Sequence, residues 1–238
     1  MHNCENLCPI CFKPEGKMTK NIIYGVTGSI AAFKAATIVS KLKSQDFDIT
    51  VIMTKSSQNF INPLTFRTLS QNKVITDIFI DDNDYDPQHV SIADKADIVV
   101  IAPATANIIG KLASGIADDA LTSIVMASNA PVLIAPAMEE RMYMNPITQR
   151  NISVLQEVGF KFIGPEKGRL ASGRTGVGRM AEVELIIQTI IEEVNIHGQK
   201  CSNAKNKTKD KEKKRLRRPA ITRLYESGSK RHGSLRSS

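Results

Sequence analysis

Four short segments of this chain gather residue types that bind anions, admit flat rings or contact soft sulfur, and each follows an apolar run. Gly25-Val26-Thr27-Gly28-Ser29 precedes an Ala-rich stretch, so Gly28 and Ser29 offer amides and a hydroxyl at a helix start, where the dipole favours negative charge. The same turn also serves as a plain helix cap. It lacks the third glycine of a dinucleotide fingerprint and the lysine of a P-loop, so as a phosphate site it suits a mononucleotide. Thr54-Lys55-Ser56-Ser57 is a second hydroxyl-rich turn, with Thr54 placed to reach the same ligand. In Pro103-Ala104-Thr105-Ala106-Asn107 the small residues permit a flat ring to approach the backbone, and equally permit close helix packing. The fourth segment runs from Pro136 to Pro146 and sets Glu139, Glu140 and Arg141 among Met138, Met142 and Met144. A polarizable rim around charged groups suits a thiol-bearing acidic substrate.

The elements that must position these loops follow from hydrophobic periodicity. A strand over Asn21 to Thr27, a helix from Ile30 to about Lys43 and a strand over Ile49 to Met53 make a βαβ unit, whose crossover is right-handed. The runs 98–102 and 131–135 are bare of polar alternation, as strands covered on both faces are. Helical patterns lie at about 106–114, 118–128, 146–158 and 181–194. This alternation predicts an α/β fold, a single doubly wound parallel sheet of Rossmann-like type, with ligands outside the carboxyl ends of the strands.

Charge is distributed unevenly. Residues 197–238 hold 14 Lys and Arg against 3 acids, so of the 32 bases and 24 acids in all, residues 1–196 keep 18 and 21. The body is therefore slightly acidic and the basic pI belongs to the tail. We read residues 1–18 as an N-terminal extension without a core, 19–196 as the folded domain and 197–238 as a basic disordered tail. No apolar run reaches the roughly eighteen residues of a membrane span, and the N-terminus lacks a signal-peptide core, which places the chain in the cytoplasm. Cys4, Cys8, Cys11 and Cys201 do not form a disulfide framework. The first three have near-ligand spacing but make only half a zinc site, and we assign no metal. The run 211–218 is a nucleic-acid patch or a solvated charge run, and the absence of aromatic interleaving favours the second.

Taken together, the segments resemble the homo-oligomeric flavin-containing cysteine decarboxylases, closest to the decarboxylase domain of bifunctional coenzyme A biosynthesis proteins. The likeness runs from about Lys20 to Val194 and rests on six motifs in the family's order. They are Gly25 to Ala32, His89 ahead of Ala96-Asp97, Ala102 to Asn107, Gly115 to Asp119, Pro136-Ala137-Met138, and Gly168 to Gly173. What the resemblance implies is an FMN enzyme converting 4'-phosphopantothenoylcysteine to 4'-phosphopantetheine. The thiol is oxidised to a thioaldehyde, CO2 leaves into that electron sink, and reduced FMN returns the electrons. It further implies that His89 is the acid or base, that Asn107 lies near the flavin, that Ala137 is a backbone position close to the ring, and that the protein is a homotrimer or dodecamer. The flavin contacts expected are Gly28, Ser29, Thr54, Pro103, Ala104, Thr105, Ala106, Asn107 and Ala137. Those expected for substrate are Glu139, Arg141, Met142 and Arg174.

Two residues depart from the family pattern. Glu139 stands where an asparagine commonly holds the substrate carboxylate, so the acid is protonated, points away, or yields the role to Arg141. Ser172 stands where many members have a cysteine that protonates the enethiolate, and a hydroxyl is the poorer acid. These departures keep two alternatives open: an oxidative decarboxylase of a C-terminal peptide cysteine that stops at the aminoenethiol, and a non-catalytic FMN-binding regulatory subunit. Flavin prenyltransferase shares the fold but fits the Pro-Ala-Met block less well. The segment Gly173 to Arg179 is expected to be a mobile flap over the substrate, with Arg174 or Arg179 near its phosphate. The family's synthetase domain would begin near His197, where the basic tail stands instead.

Overall fold

The computed structural model describes residues 19–77 and 88–196. The cysteines, the N-terminal extension and the basic tail lie outside them. Six parallel strands form the central sheet: β1 (Asn21–Val26), β2 (Asp48–Met53), β3 (Val74–Ile75), β4 (Ile98–Ala104), β5 (Val132–Pro136) and β6 (Lys161–Phe162). Their order is β3-β2-β1-β4-β5-β6, the doubly wound order whose direction of winding reverses between β1 and β4. The register sets Ile22 beside Ile98 and Gly25 beside Ile101, so these two strands end together.

Alternate residues of the central strands feed two cores, the period-2 rule of a sheet covered on both sides. Ile22, Tyr24, Val26, Val100, Ala102, Leu133 and Ala135 face one cluster. It is covered by α1 (Ala32–Lys43), by α2 (Pro63–Ser70) through Phe66, and by α8, which begins at residue 183 and ends with the described residues at 196. Ile23, Val99, Ile101, Val132 and Ile134 face the other. Here α3 (Gln88–Lys95), α4 (Ala106–Ala113), α5 (Ala120–Ala127) and α7 (Pro146–Glu157) close the layer. The short α6 (Glu140–Tyr143) follows β5, and a separate antiparallel pair, β7 (Glu166–Arg169) and β8 (Thr175–Arg179), follows β6.

The expected parallel α/β sheet is present, and the differences are local. α1 starts two residues later than the apolar pattern implies, because residues 28–31 form a turn with Ala32 N–H donating to the Ser29 carbonyl at 2.9 Å. α5 starts at Ala120 because the Asp119 side chain caps it, accepting from the Thr122 amide at 2.9 Å. Periodicity also gave no sign of α2, a short element launched by Asn62 capping the Leu64 amide at 2.9 Å with Pro63 behind it.

Tyr24 is fully buried on β1, and its hydroxyl has no hydrogen-bond partner among the described residues. Burial alone pushes its pKa far up, so it stays a neutral phenol. Removing an unpaired buried hydroxyl while keeping the ring should cost nothing, so Tyr24→Phe is expected to raise unfolding free energy by about 1 kcal/mol. Tyr24→Ala should lower it by roughly 3–5 kcal/mol through the cavity it leaves. Urea unfolding of the two variants checks both signs.

Candidate active site

At the switch point the chain leaving β1 turns towards one face of the sheet and the chain leaving β4 towards the other. Thr27, buried to 2% exposure, spans the parting. Its Oγ1 donates to the Pro103 carbonyl at 2.7 Å and accepts from the Thr105 amide at 3.1 Å. Gly28 lies so close to the turn after β2 that a Cβ there would come within 2.6 Å of the Ser56 Cβ. Beside it, Ala137 donates to the Ala104 carbonyl at 2.9 Å, fixing the loop after β5 against β4.

These ties frame a cavity of about 640 Å³, within the range of small-molecule sites. Of the residues singled out from sequence, Gly28, Ser29, Thr54, Thr105, Ala106, Asn107, Ala137 and Met142 line it. Pro103 and Ala104 do not; they are buried within β4 and act through the loop that they hold. Thr54 Oγ1 is buried without a hydrogen-bond partner among the described residues, so a donor-accepting ligand in this cavity would satisfy it. Thr105 caps α4, and Asn107 and Lys111 share one face of that helix, four residues apart, both on the cavity.

Sequence reasoning did not single out Lys111, Asp118 or Asp119 as lining residues, although the last two lie in a motif of the resemblance. Lys111 Nζ donates to Asp118 at 2.7 Å and to Asp119 at 3.1 Å. The hydrogen bond to Asp118 is the largest cause holding its ammonium above the ordinary lysine range. Burial disfavours ionisation of Asp119, but the Thr122 amide, the Lys111 ammonium and the Thr122 hydroxyl outweigh it and hold the carboxyl below its usual range. The pairing of two loop acids with a helix lysine seven and eight residues earlier has no periodic signature.

A second cavity, about 330 Å³, adjoins the first and shares Ser29, Ala137 and Met138 with it. Glu139 lines this one, together with Lys34, Arg169 and Arg179, against apolar walls that include Ile30, Phe33, Leu170 and Met180. The Lys34 ammonium is buried and makes no hydrogen bond among the described residues; Glu182 stands 3.7 Å away as an ion-pair partner. Lys34 was missed because one lysine in an Ala-rich amphipathic helix looks like an ordinary surface residue. Arg141, Ser172 and Arg174 are exposed and line neither cavity, though Ala171 beside Ser172 does. His89 falls in the first turn of α3, and its side chain lies outside the described residues. The segment 173–179, expected as a flap, forms the end of the turn and the second strand of the β7–β8 hairpin, which walls the second cavity with Arg169, Leu170, Ala171, Gly178 and Arg179.

The family model for flavoproteins matches residues 13–195, more than three-quarters of the sequence. The chain belongs to the flavoprotein family. A bifunctional coenzyme A biosynthesis protein of Bacillus subtilis is 48% identical over 169 residues, 71% of this flavoprotein and 42% of that protein. The chain thus spans under half the length of that relative. A Streptococcus mutans protein described as a probable phosphopantothenoylcysteine decarboxylase is 41% identical over 179 residues, 74% of this flavoprotein and 100% of its own length. Among solved structures, a cysteine-to-serine mutant of PPC decarboxylase complexed with pantothenoylaminoethenethiol is 35% identical. The match has a TM-score of 0.65 and covers 72% of this chain and 96% of that one. A flavin suits the first cavity on its own terms: the unpartnered Thr54 hydroxyl, the close Gly28 turn and the α1 start without acidic residues in its first turn all favour an anionic, polyol-bearing ligand.

Because the folded pKa of Asp119 lies below its unfolded value, its contribution to stability is present above about pH 4 and is lost as pH falls through the folded pKa. Asp119→Asn should flatten the stability difference between pH 7 and pH 3, as read by denaturant unfolding at both. Thr27→Val should lower stability by about 1–3 kcal/mol by leaving the Thr105 amide and Pro103 carbonyl unpaired, and should weaken flavin binding at the same time.

Proposed function

We propose that this flavoprotein is an FMN-dependent decarboxylase converting 4'-phosphopantothenoylcysteine to 4'-phosphopantetheine, in a homo-oligomer. The observation that carries this reading is the junction of two cavities with different linings: one with hydroxyls, small residues and helix starts, suited to a mononucleotide, opens at Ala137 and Met138 onto one lined by three cations, Glu139 and apolar walls. FMN held in the first cavity would supply a reversible two-electron acceptor, the electron sink that loss of CO2 from the oxidised thiol substrate needs. Around it, Gly28, Ser29 and Thr54 take the phosphate and polyol end, and Thr105, Ala106 and Asn107 the ring side.

The second cavity takes the substrate. Its apolar walls match the pantothenoyl chain, and the Lys34 ammonium, with Arg169 and Arg179, matches the dianionic phosphate. Glu139 lines the same cavity as these cations, which offsets the charge problem raised by its standing in place of an asparagine. His89 remains the proposed acid or base. The 19–196 domain, with the extension and tail as separate segments, is the organisation this reading assigns.

A second reading has one specific observation in its favour. Ser172 stands exposed in the hairpin turn, and a serine hydroxyl in water is a far weaker acid than a thiol. If no other group protonates the enethiolate, the reaction stops after oxidation and loss of CO2.

Product mass separates the two. With FMN and substrate, loss of CO2 alone is expected; loss of CO2 with two hydrogens would move the chain to the oxidative class, and Ser172→Cys should then restore the full reaction. An unchanged mass with flavin bound would overturn the enzyme reading. Lys34→Gln should raise KM for the phosphorylated substrate about tenfold or more, with a smaller effect on a dephosphorylated analogue and an unaltered flavin spectrum.

A further inference from the structure

A two-stranded hairpin is only marginally stable by itself, so the placement of β7–β8 over the second cavity depends on what anchors it. Two hydrogen bonds tie β8 to the loop after β5. Met138 N–H donates to the Gly178 carbonyl at 3.0 Å, and Glu140 Oε1 accepts from the Val177 amide at 3.0 Å. The register explains how β8 can spare both groups. Pairing steps from Glu166–Arg179 to Lys167–Val177, leaving Gly178 as the bulged residue that turns out of the ladder. Space is arranged for the same contact: a Cβ at Gly176 would lie 2.5 Å from the Glu140 carboxylate, and one at Gly178 would overlap the Met138 carbonyl.

We propose that Glu140 is a positioning residue for the proposed decarboxylation, a latch that sets the hairpin, and with it Arg169, Ala171 and Arg179, against the substrate cavity. It touches neither cavity, and acts through the Val177 amide. Neighbouring Glu139 reaches the substrate side, so the two consecutive acids divide into one that lines the site and one that holds its wall. The backbone contact from Met138 fixes the hairpin at one point only. Glu140 supplies a charged second point one residue along the strand, which resists rotation about the first.

The latch rests on the decarboxylase reading for its purpose but not for its test. In the full chain with FMN and no substrate, Glu140→Ala should speed hydrogen exchange at Val177 and across residues 170–174 by about tenfold or more. Amides of β1, β4 and β5 should be unmoved and the flavin spectrum unchanged. Because substrate pulls an open hairpin back, KM should rise by about the same factor while kcat holds within about twofold. Glu140→Gln keeps an acceptor and should return both readouts towards the parent. Gly176→Ala should mimic Glu140→Ala by driving a Cβ into the carboxylate, and the double variant should be no worse than either. Unchanged exchange in Glu140→Ala, or a Glu140→Gln variant as impaired as alanine, overturns the latch. Should the parent chain leave the substrate unchanged, the exchange result still decides the latch and only the decarboxylase reading falls.

Discussion

The site depends on how two neighbouring parallel strands part company. Where β1 and β4 end side by side, the following segments go to opposite faces of the sheet and a cleft must open between them. The Thr27 hydroxyl, just past the end of β1, ties that strand to the chain leaving β4 at two points, donating to the Pro103 carbonyl and accepting from the Thr105 amide. The tie lies at the start of α4, whose Asn107 and Lys111 face the cavity, and near the separate bond that holds Ala137 to Ala104. A side chain that only donated, or only accepted, would hold the chain leaving β4 at one point and leave it free to turn there.

Charge is arranged so that each cavity has its own sign logic. In the first, Lys111 is neutralised by Asp118 and Asp119, which leaves helix starts and hydroxyls to receive an anion. In the second, Lys34 makes no hydrogen bond among the described residues and has a long ion pair to Glu182, while Arg179 also pairs with Glu182. Two ligands bound in the adjoining spaces would meet at Ser29, Ala137 and Met138. Ser29 and Ala137 are small, which allows close approach of reacting groups there, and proximity of this kind can account for a large part of a rate enhancement.

The two departures from the family pattern differ in kind. Glu139 is compensated by its surroundings, since cations line the same space. Ser172 is not compensated in this way: it sits exposed in the turn of a hairpin whose neighbouring residue, Ala171, reaches the cavity. The first replacement bears on binding and the second on proton supply, and so they act on different halves of the proposed reaction.

The sequence by itself determined the sheet, its parallel sense and most of the first cavity. Apolar runs such as 98–102 and 131–135 read as strands covered on both faces, and the ligand-bearing loops follow their strands directly, so Gly28, Ser29 and Thr54 were legible from local order and Asn107 from the family motif. What only the tertiary structure decided is the set of residues whose partners are distant in the chain. Lys34 looks like a surface lysine until the 169–180 segment folds over it, Asp119 looks like a loop acid until Lys111 reaches it, and Glu140 looks like half of an acidic pair until Val177 arrives 37 residues later. The glycine-rich, charged segment 166–179 carries no periodicity that names its strands. Its shape comes from a bulge and from bonds to Met138, Glu140 and Glu182, and the first two, made to a distant loop, arise only when the sheet has already brought their supports together.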